Sequence, residues 1–302
     1  MDTEAIRLFV MAADRLNISA AGRQLGLAPA VASARLAKLE KELGADLLHR
    51  STRKVSLSLE GSEFLPFARE ILAQEEGARA ALGLGSQTVK GTLRFAAPSS
   101  FAQLFIAPLL PEFLAKYPDV NLDLKLSDTP TNLIEGGYDL ALRNHALEDS
   151  SLRARKLAND KRILCAAPGY LNRFGTPEGP DDLTRHQILV FMDGPARQLT
   201  TQAGDRNCTF PPPDGQTRVT FDDGASMRIA TRAGVGISMN SYWSVHDDLE
   251  QGALVRVLPE YEIADQAAIW LVYPKSNVLT AKVRVFIDFL LEKLGDSPVL
   301  NG

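Results

Sequence analysis

Ser19-Ala-Ala-Gly-Arg-Gln-Leu-Gly-Leu-Ala-Pro-Ala-Val-Ala-Ser33 is the stretch on which the reading of the N-terminal fold turns. Ser19 suits the N-cap of a short helix through Ala20, Ala21 and Leu25, because its hydroxyl can take one of the N–H groups left unpaired at a helix start. Gly26 closes that helix, since the left-handed conformation common just past a helix end costs glycine nothing. Pro29 opens the next helix, where its missing N–H is not needed. From there Ala32, Leu36, Leu39 and Leu43 form one apolar stripe, which Gly44 terminates. Two short helices joined by a tight glycine-containing turn predict a helix-turn-helix.

Upstream, Ile6, Phe9, Val10 and Ala13 predict an amphipathic first helix that ends near Leu16 and Asn17. Downstream, Leu47-Leu48-His49-Arg50 and Val55-Ser56-Leu57 read as two short strands around a basic tip, Ser51-Thr52-Arg53-Lys54, which makes a wing. A long helix follows from about Leu59 to Leu82. Phe64, Ala68, Ile71, Ala78 and Leu82 keep a heptad spacing broken by Glu75, and predict a dimerisation seam. The alternative is a helix packed on its own domain. Gly83, Gly85, Ser86 and Gly91 mark a linker. The divisions expected are residues 1–60, 61–90 and 91–295.

Beyond the linker, strand and helix patterns alternate. Strands are expected at Thr92 to Ala96, Leu122 to Leu126, Asp139 to Leu142, Ile163 to Ala166, Ile188 to Phe191, Val219 to Phe221, Gly236 to Met239 and Ile269 to Val272. Helices are expected from Phe101 to Tyr117, briefly through Leu133 and Ile134, and from Leu279 to Leu294. Gly175 to Asp182 and Gly204 to Gly215 read as Pro/Gly-rich loops. The class is α/β.

The net charge of −4 argues against a nucleic-acid partner only on average. Residues 23 to 54 hold Arg23, Arg35, Lys38, Lys41, Arg50, Arg53 and Lys54 against Glu40, Glu42 and Asp46, a local field able to hold phosphates. Asp2, Glu4, Arg7 and Asp14 interrupt any signal-like apolar core, and no apolar run approaches the roughly 18 to 20 residues that span a bilayer. A cytoplasmic protein with no membrane partner is expected. Cys165 and Cys208 form no metal-spaced cluster, so buried thiols are the plain reading and a redox-responsive pair the alternative.

Enzyme signatures are missing. His49, His145, His186 and His246 are scattered without HExxH spacing. Gly234-Val-Gly236 lacks the third glycine of a dinucleotide fingerprint, and neither a P-loop lysine motif nor a GxSxG elbow occurs. No catalytic residue, cofactor or metal is expected.

Residues 1–61 resemble the LysR-type transcriptional regulators. The stretch from Ser19 to Ser33 carries the likeness, followed by Leu36, Leu39-Glu40, Leu43-Gly44, Leu47-Leu48, Arg50, Arg53 and Gly61. Gly91-Thr-Leu-Arg, Ala107-Pro-Leu-Leu-Pro, Tyr117-Pro, Gly137-Tyr-Asp-Leu-Ala and Ala233-Gly-Val-Gly-Ile extend it through the C-terminal part. The resemblance implies an N-terminal all-α winged helix-turn-helix with a long linker helix. A C-terminal α/β effector domain follows, two-lobed and like periplasmic binding proteins of type 2. One lobe would be about 91–161 with 268–295, the other 162–267. It implies a sequence-specific regulator of double-stranded DNA.

The helix opening at Pro29 would then lie in the major groove. Pro29, Ala30, Ser33, Ala34, Arg35 and Lys38 would contact DNA from it, with Arg50, Thr52, Arg53 and Lys54 from the wing. Many relatives carry arginine directly after the serine, whereas here that position is Ala34 and arginine stands at Arg35. The effector would sit between the lobes, near Ser99, Ser100, Phe101, Thr129, Arg143, Phe191 and Asp223. N–H groups at the helix start after Ser99 favour a small organic acid, while Asp223 would oppose one. Two chains paired on an imperfect palindrome, dimers joined into a homotetramer, and RNA polymerase as a further partner complete the expectation. A solute-binding receptor without a DNA role is the competing class. It would fit only the C-terminal part.

Overall fold

The computed structural model describes residues 1–50, 55–81, 89–129, 133, 136–144, 151–192, 194–201, 207–263, 267–275 and 279–301. The chain forms two compact units. One is residues 1–89 with 134–137 and 275–284, and the other is the remainder.

In the first unit, α1 (Thr3–Arg15) starts at Asp2, whose carboxylate accepts the Glu4 N–H at 3.0 Å. It ends on Leu16 in the left-handed region, with φ of 49°. α2 (Ile18–Gln24) is capped by Asn17, not by Ser19. The Asn17 side chain accepts the Ala20 N–H at 2.9 Å, and Ser19 already lies inside the first turn. α3 (Pro29–Leu43) has Pro29 in its first turn and ends at Gly44, with φ of 72°. β1 (Leu48–Arg50) and β2 (Val55–Leu57) pair antiparallel, Leu48 opposite Leu57 and Arg50 opposite Val55. α4 (Leu59–Ala81) follows, with Ser58 accepting the Gly61 N–H at 2.8 Å.

Ile6, Leu8 and Phe9 of α1, Ala32, Leu36 and Leu39 of α3, Leu47 and Ala68 form one fully buried core. Phe64 and Ile71 pack against it, and the Phe64 ring lies 5.7 Å from that of Phe9. The heptad stripe of α4 is therefore spent on its own domain at Phe64, Ala68 and Ile71. This corrects their reading as an intermolecular seam. Ala78 is exposed, and Leu82 lies outside the described residues.

The second unit holds two five-stranded sheets. The first comprises β3 (Gly91–Ala97), β4 (Val120–Leu126), β5 (Leu140–Arg143) and β6 (Leu152–Asn159), together with a return strand near the C-terminus. β3 runs parallel to β4 and to β5. Between β3 and β4, the single helix expected from 101 to 117 is broken. α5 (Ser99–Phe101) passes into a π turn at Ala102–Ile106, a 3-10 turn at Ala107–Leu109 and α6 (Leu110–Lys116). Pro108 and Pro111 explain the later breaks, since each removes a backbone donor and crowds the turn before it.

The chain then crosses to the second sheet through β7 (Arg162–Ala166), α7 (Pro168–Phe174) and β8 (Gln187–Phe191). β9 (Arg197–Thr201) and β10 (Asn207–Phe210) leave that sheet, and β11 (Gln216–Phe221) returns to it. α8 (Gly224–Arg232), β12 (Ile237–Ser241), α9 (Tyr242–Glu250) and β13 (Val255–Val257) complete the lobe. β14 (Tyr261–Ile263) joins β9 and β10 in a small antiparallel sheet, so part of the stretch read as a loop at 204–215 is strand. β15 (Ala268–Pro274) re-enters the first sheet between β5 and β6. α10 (Ala281–Leu294) and α11 (Pro298–Asn301) end the chain.

Phe286 and Phe289 of α10 meet Phe113 with ring centroids 4.8 and 5.2 Å apart, and Phe286 also meets Phe95 of β3. This aromatic cluster covers one face of the first sheet. Leu133, beneath the sheet's other side with Ala96, Ala141 and Val272, lies in a turn; Ile134 is outside the described residues.

Candidate functional site

The α2–α3 pair is held at close range by one glycine. A Cβ on Gly22 would stand 2.7 Å from the Ala32 Cβ, so the crossing requires the absence of a side chain at 22. With Ala32, Leu36 and Leu39 buried, the opposite side of α3 faces outward. Pro29, Ala30, Ala34, Ala37, Lys38 and Lys41 are exposed, while Ser33 and Arg35 are half-buried at its margin.

Three residues tie the wing to the helices on either side of it, α3 and α4. Glu40 of α3 accepts the N–H groups of Leu47 and Leu48 at 3.1 and 3.2 Å through one oxygen. Ser58 donates to the Asp46 carbonyl at 2.5 Å and, in turn, caps α4. A Cβ on Gly61 would meet the Leu47 carbonyl oxygen at 2.0 Å, so α4 passes the wing closely only because Gly61 is bare. Gly22 and the role of Glu40 escape sequence inspection, since nothing in a periodic pattern reports a crossing distance. Thr52, Arg53 and Lys54 lie outside the described residues, as does the Arg50 side chain.

In the second unit, the register brings three strand ends together. Ala97 of β3 pairs with Leu126 of β4, and Ala96 pairs with Ala141 of β5. Ser99, Asp128, Thr129 and Arg143 therefore share the carboxyl edge of the three parallel strands β4, β3 and β5, where open α/β folds bind ligands. Arg143 is half-buried, and the burial lowers its pKa from the ordinary arginine value. On the second sheet, Phe191 and Phe221 end the parallel strands β8 and β11, ahead of Asp223.

The two lobes meet at Ser99. Its N–H donates to Asp128 Oδ1 at 2.6 Å, and the Gly224 N–H, which opens α8, donates to Asp128 Oδ2 at 2.7 Å. The Ser99 hydroxyl lies 3.1 Å from Asp128 Oδ1 and 3.0 Å from Asp223 Oδ2. Asp223 caps α8 by accepting the Ser226 N–H at 2.6 Å. Hydrogen bonding from Ser226 outweighs partial burial and keeps the Asp223 carboxyl below its ordinary pKa.

Ser99 and Asp223 thus come together as expected. Two corrections follow. The Ser99 N–H is not open to an effector but is taken by Asp128, a residue sequence reading passed over. Phe101 is fully buried, stacked edge-on against Trp243 at 5.2 Å, and so is core. Thr129 is exposed and bonds back to Ser127 at 3.2 Å.

The crossing between lobes is built on Asp160. Its N–H donates to the Ala267 carbonyl at 3.0 Å, linking the two connecting strands. Its buried carboxylate accepts the Trp243 indole N–H at 2.9 Å and the Arg162 guanidinium at 3.2 Å.

Burial pushes the Cys165 thiol up to about 11 and raises Cys208 as well, so both are held as thiols and not thiolates. His246, Asp247 and Glu250 bring their ligand atoms within 4.8 Å of one another on α9. The i,i+4 spacing of His246 and Glu250 accounts for that arrangement.

Comparison with known proteins accords with this geometry. Residues 3–62 match the family described as bacterial regulatory helix-turn-helix protein, lysR family, and residues 86–295 match the LysR substrate binding domain. An HTH-type transcriptional repressor of Pseudomonas aeruginosa is 34% identical over 98% of this chain and 93% of its own. The regulator CrgA of Neisseria meningitidis is 32% identical over 98% of each chain. The structure of CrgA superposes with a TM-score of 0.62, covering 98% of this chain and all of that one. The full-length virulence activator AphB of Vibrio cholerae gives 0.61 at 26% identity, over 97% of this chain. A helix-turn-helix followed by a two-lobed α/β domain, matched end to end, makes this chain a member of the LysR family of transcriptional regulators.

Proposed function

We propose that this regulator reads an imperfectly palindromic operator with α3 in the major groove and answers to a small organic acid held between its lobes. One observation carries the DNA reading. The inward side of α3 is fully buried while Pro29, Ala30, Ala34 and Lys38 lie open on the other side. Among the described residues that open side meets no other element of its own domain, and a helix so placed fits a groove. Ser33, Arg35 and Lys38 are suited to phosphate or guanine, and Ala30 and Ala34 to thymine methyls. Arg50, Thr52, Arg53 and Lys54 of the wing supply further phosphate contacts.

Residues 1–60 would bind DNA, 61–90 would pair two chains, and 91–295 would hold the effector. Homodimers would join into a homotetramer and contact RNA polymerase in the cytoplasm. Exposed Ile229 on α8 and Val219 on the edge strand β11 offer apolar surface for the second contact. No helix among the described residues is long and apolar enough to cross a membrane. The effector can act only by binding one arrangement of the lobes more tightly than another.

The test is a footprint on the DNA upstream of the protein's own gene, with and without candidate acids, followed by salt titrations. Lys38→Ala and the pair Arg53→Ala with Lys54→Ala should weaken binding to all sequences and reduce the salt slope by about one for each lost phosphate contact. Unchanged slopes would remove those residues from the interface. Absence of salt-sensitive affinity for any duplex would end the reading.

A further inference from the structure

The dipole of a helix favours cations at its C-terminal end, and this chain keeps to that rule with one exception. Among the described residues, every other α-helix of seven residues or more carries an arginine or lysine in its last turn, from Arg15 in α1 to Lys293 in α10. α9 carries none, and sets Asp247, Asp248 and Glu250 there instead. Asp248 is buried and answered from α8, by Arg228 Nε at 2.5 Å and Arg232 Nη1 at 3.4 Å. Asp247 and Glu250 are exposed and are not answered in this way. Glu250 meets the His246 ring, Nε2 to Oε1 at 3.5 Å, and the Asp247 carboxylate makes no hydrogen bond among the described residues. Arg228 is close enough to feel the Asp247 charge, but it gives its hydrogen bond to Asp248.

The two open carboxylates converge on an imidazole whose ring is already aimed. One ligand atom from each of His246, Asp247 and Glu250 lies within 4.8 Å of the other two. The Tyr242 hydroxyl stands 3.0 Å from His246 Nδ1, which leaves Nε2 turned toward Glu250. Tyr242 is itself fixed. Its N–H donates to the Lys161 carbonyl at 2.7 Å, and its side chain packs against the core of the second lobe. A partner that holds one ring nitrogen so that the other faces outward is how metal-binding histidines are oriented. A plain ion pair needs no such support, and two carboxylates beside one ring are one more than the ring can neutralise.

We propose that His246 Nε2 and the carboxylates of Asp247 and Glu250 form a binding site for a divalent transition-metal ion of the zinc class, with water completing its coordination. The imidazole sets the class, since magnesium and calcium take oxygen ligands while zinc accepts nitrogen and oxygen together. The ion supplies the positive charge that the end of α9 lacks. Because α9 begins at the lobe crossing, where Tyr242 holds Lys161 and Trp243 holds Asp160, binding steadies the helix on that crossing. The site shares no residue with the proposed DNA-binding or effector sets and is independent of both readings.

The full chain, free of any affinity tag, is titrated with zinc sulfate by calorimetry and melted with and without the ion, with magnesium chloride as control. Zinc should bind saturably and raise the melting temperature, and magnesium should bind at least about tenfold more weakly. His246→Gln should weaken zinc binding by about tenfold or more. Because that variant also disturbs the contact with Tyr242, the exposed pair Asp247→Asn with Glu250→Gln gives a second arm. It should weaken zinc by at least about tenfold, yet melt no lower than the wild type without zinc, since the helix end sheds charge that opposes its dipole. Absence of saturable binding, or magnesium binding as tight as zinc, would overturn the proposal. So would zinc affinity unchanged in either variant, which would assign the ion to Cys208 or another histidine. A metal-free double variant that melts well below the wild type would show the carboxylates to be structural, and would overturn it too.

Discussion

A single missing side chain sets the geometry of the helix-turn-helix. Gly22→Ala would press a methyl to 2.7 Å from the Ala32 Cβ, in a core where Ala32 has no room to retreat. Overpacking of this kind costs about 1–3 kcal/mol, so the variant should melt earlier and lose operator affinity together. Thermal melting with DNA titration checks this, and an unchanged melting temperature would show that the helices can part cheaply. The neighbouring positions were legible for a plain reason. Pro29, Gly26 and Gly44 act through backbone conformation, which the residue type itself declares. Gly22 acts through distance, and Asp128 through partners up to 96 residues away, so neither has a local signature. Asn17 displaced Ser19 as the cap because both types serve equally well and only the position of the first turn decides between them.

At the scale of elements, strands with clear alternation or apolar runs were foreseen. β6, β9, β10, β13 and β14 were not. β9 and β10 are mostly polar, with sequences RQLTT and NCTF, and belong to a small sheet flanking the second lobe. Their pairing depends on long-range register more than on composition.

α7 and β8 of that lobe are joined by a buried polar contact. The Tyr170 hydroxyl accepts the Gln187 N–H at 2.9 Å and lies 3.2 Å from His186 Nδ1. Burial lowers the His186 pKa from the ordinary 6.5, against a smaller opposing pull from Asp182. The folded chain favours the neutral ring, so the unfolded chain binds the extra proton on acidification. The stability His186 contributes is intact above its ordinary value and is lost as pH falls below it. Between about pH 7.5 and about pH 5.5 the wild type should therefore lose more melting temperature than His186→Gln, which keeps an acceptor but cannot titrate in that range. Parallel losses in the two proteins would rule out this histidine as the source.

For the whole molecule, the split between buried and exposed positions of α4 bears on assembly. If α4 pairs two chains, as proposed, a second copy would use its outer side, where Leu59 is 73% and Phe67 64% exposed, since Phe64, Ala68 and Ile71 face the chain's own core. A lone aromatic set among Glu63 and Glu70 is costly to leave in water and is the kind of anchor on which interfaces depend. Phe67→Glu should raise the dimer dissociation constant by at least about tenfold while leaving the monomer's fold intact. Light scattering across a dilution series measures the first and circular dichroism the second. An unchanged mass at every concentration would place the dimer contact elsewhere.

The Glu40 carboxylate has a consequence for how operators can vary. By gripping the start of the wing from within α3, it ties the hairpin's first strand to that helix. With α3 in the major groove, as proposed, a single protomer would have little freedom to adjust the wing's contact relative to that of the helix. On the proposed palindromic operator, unequal half-site separation would then have to be accommodated where protomers join, so tolerance to spacing would be a property of the assembly and not of the reading head.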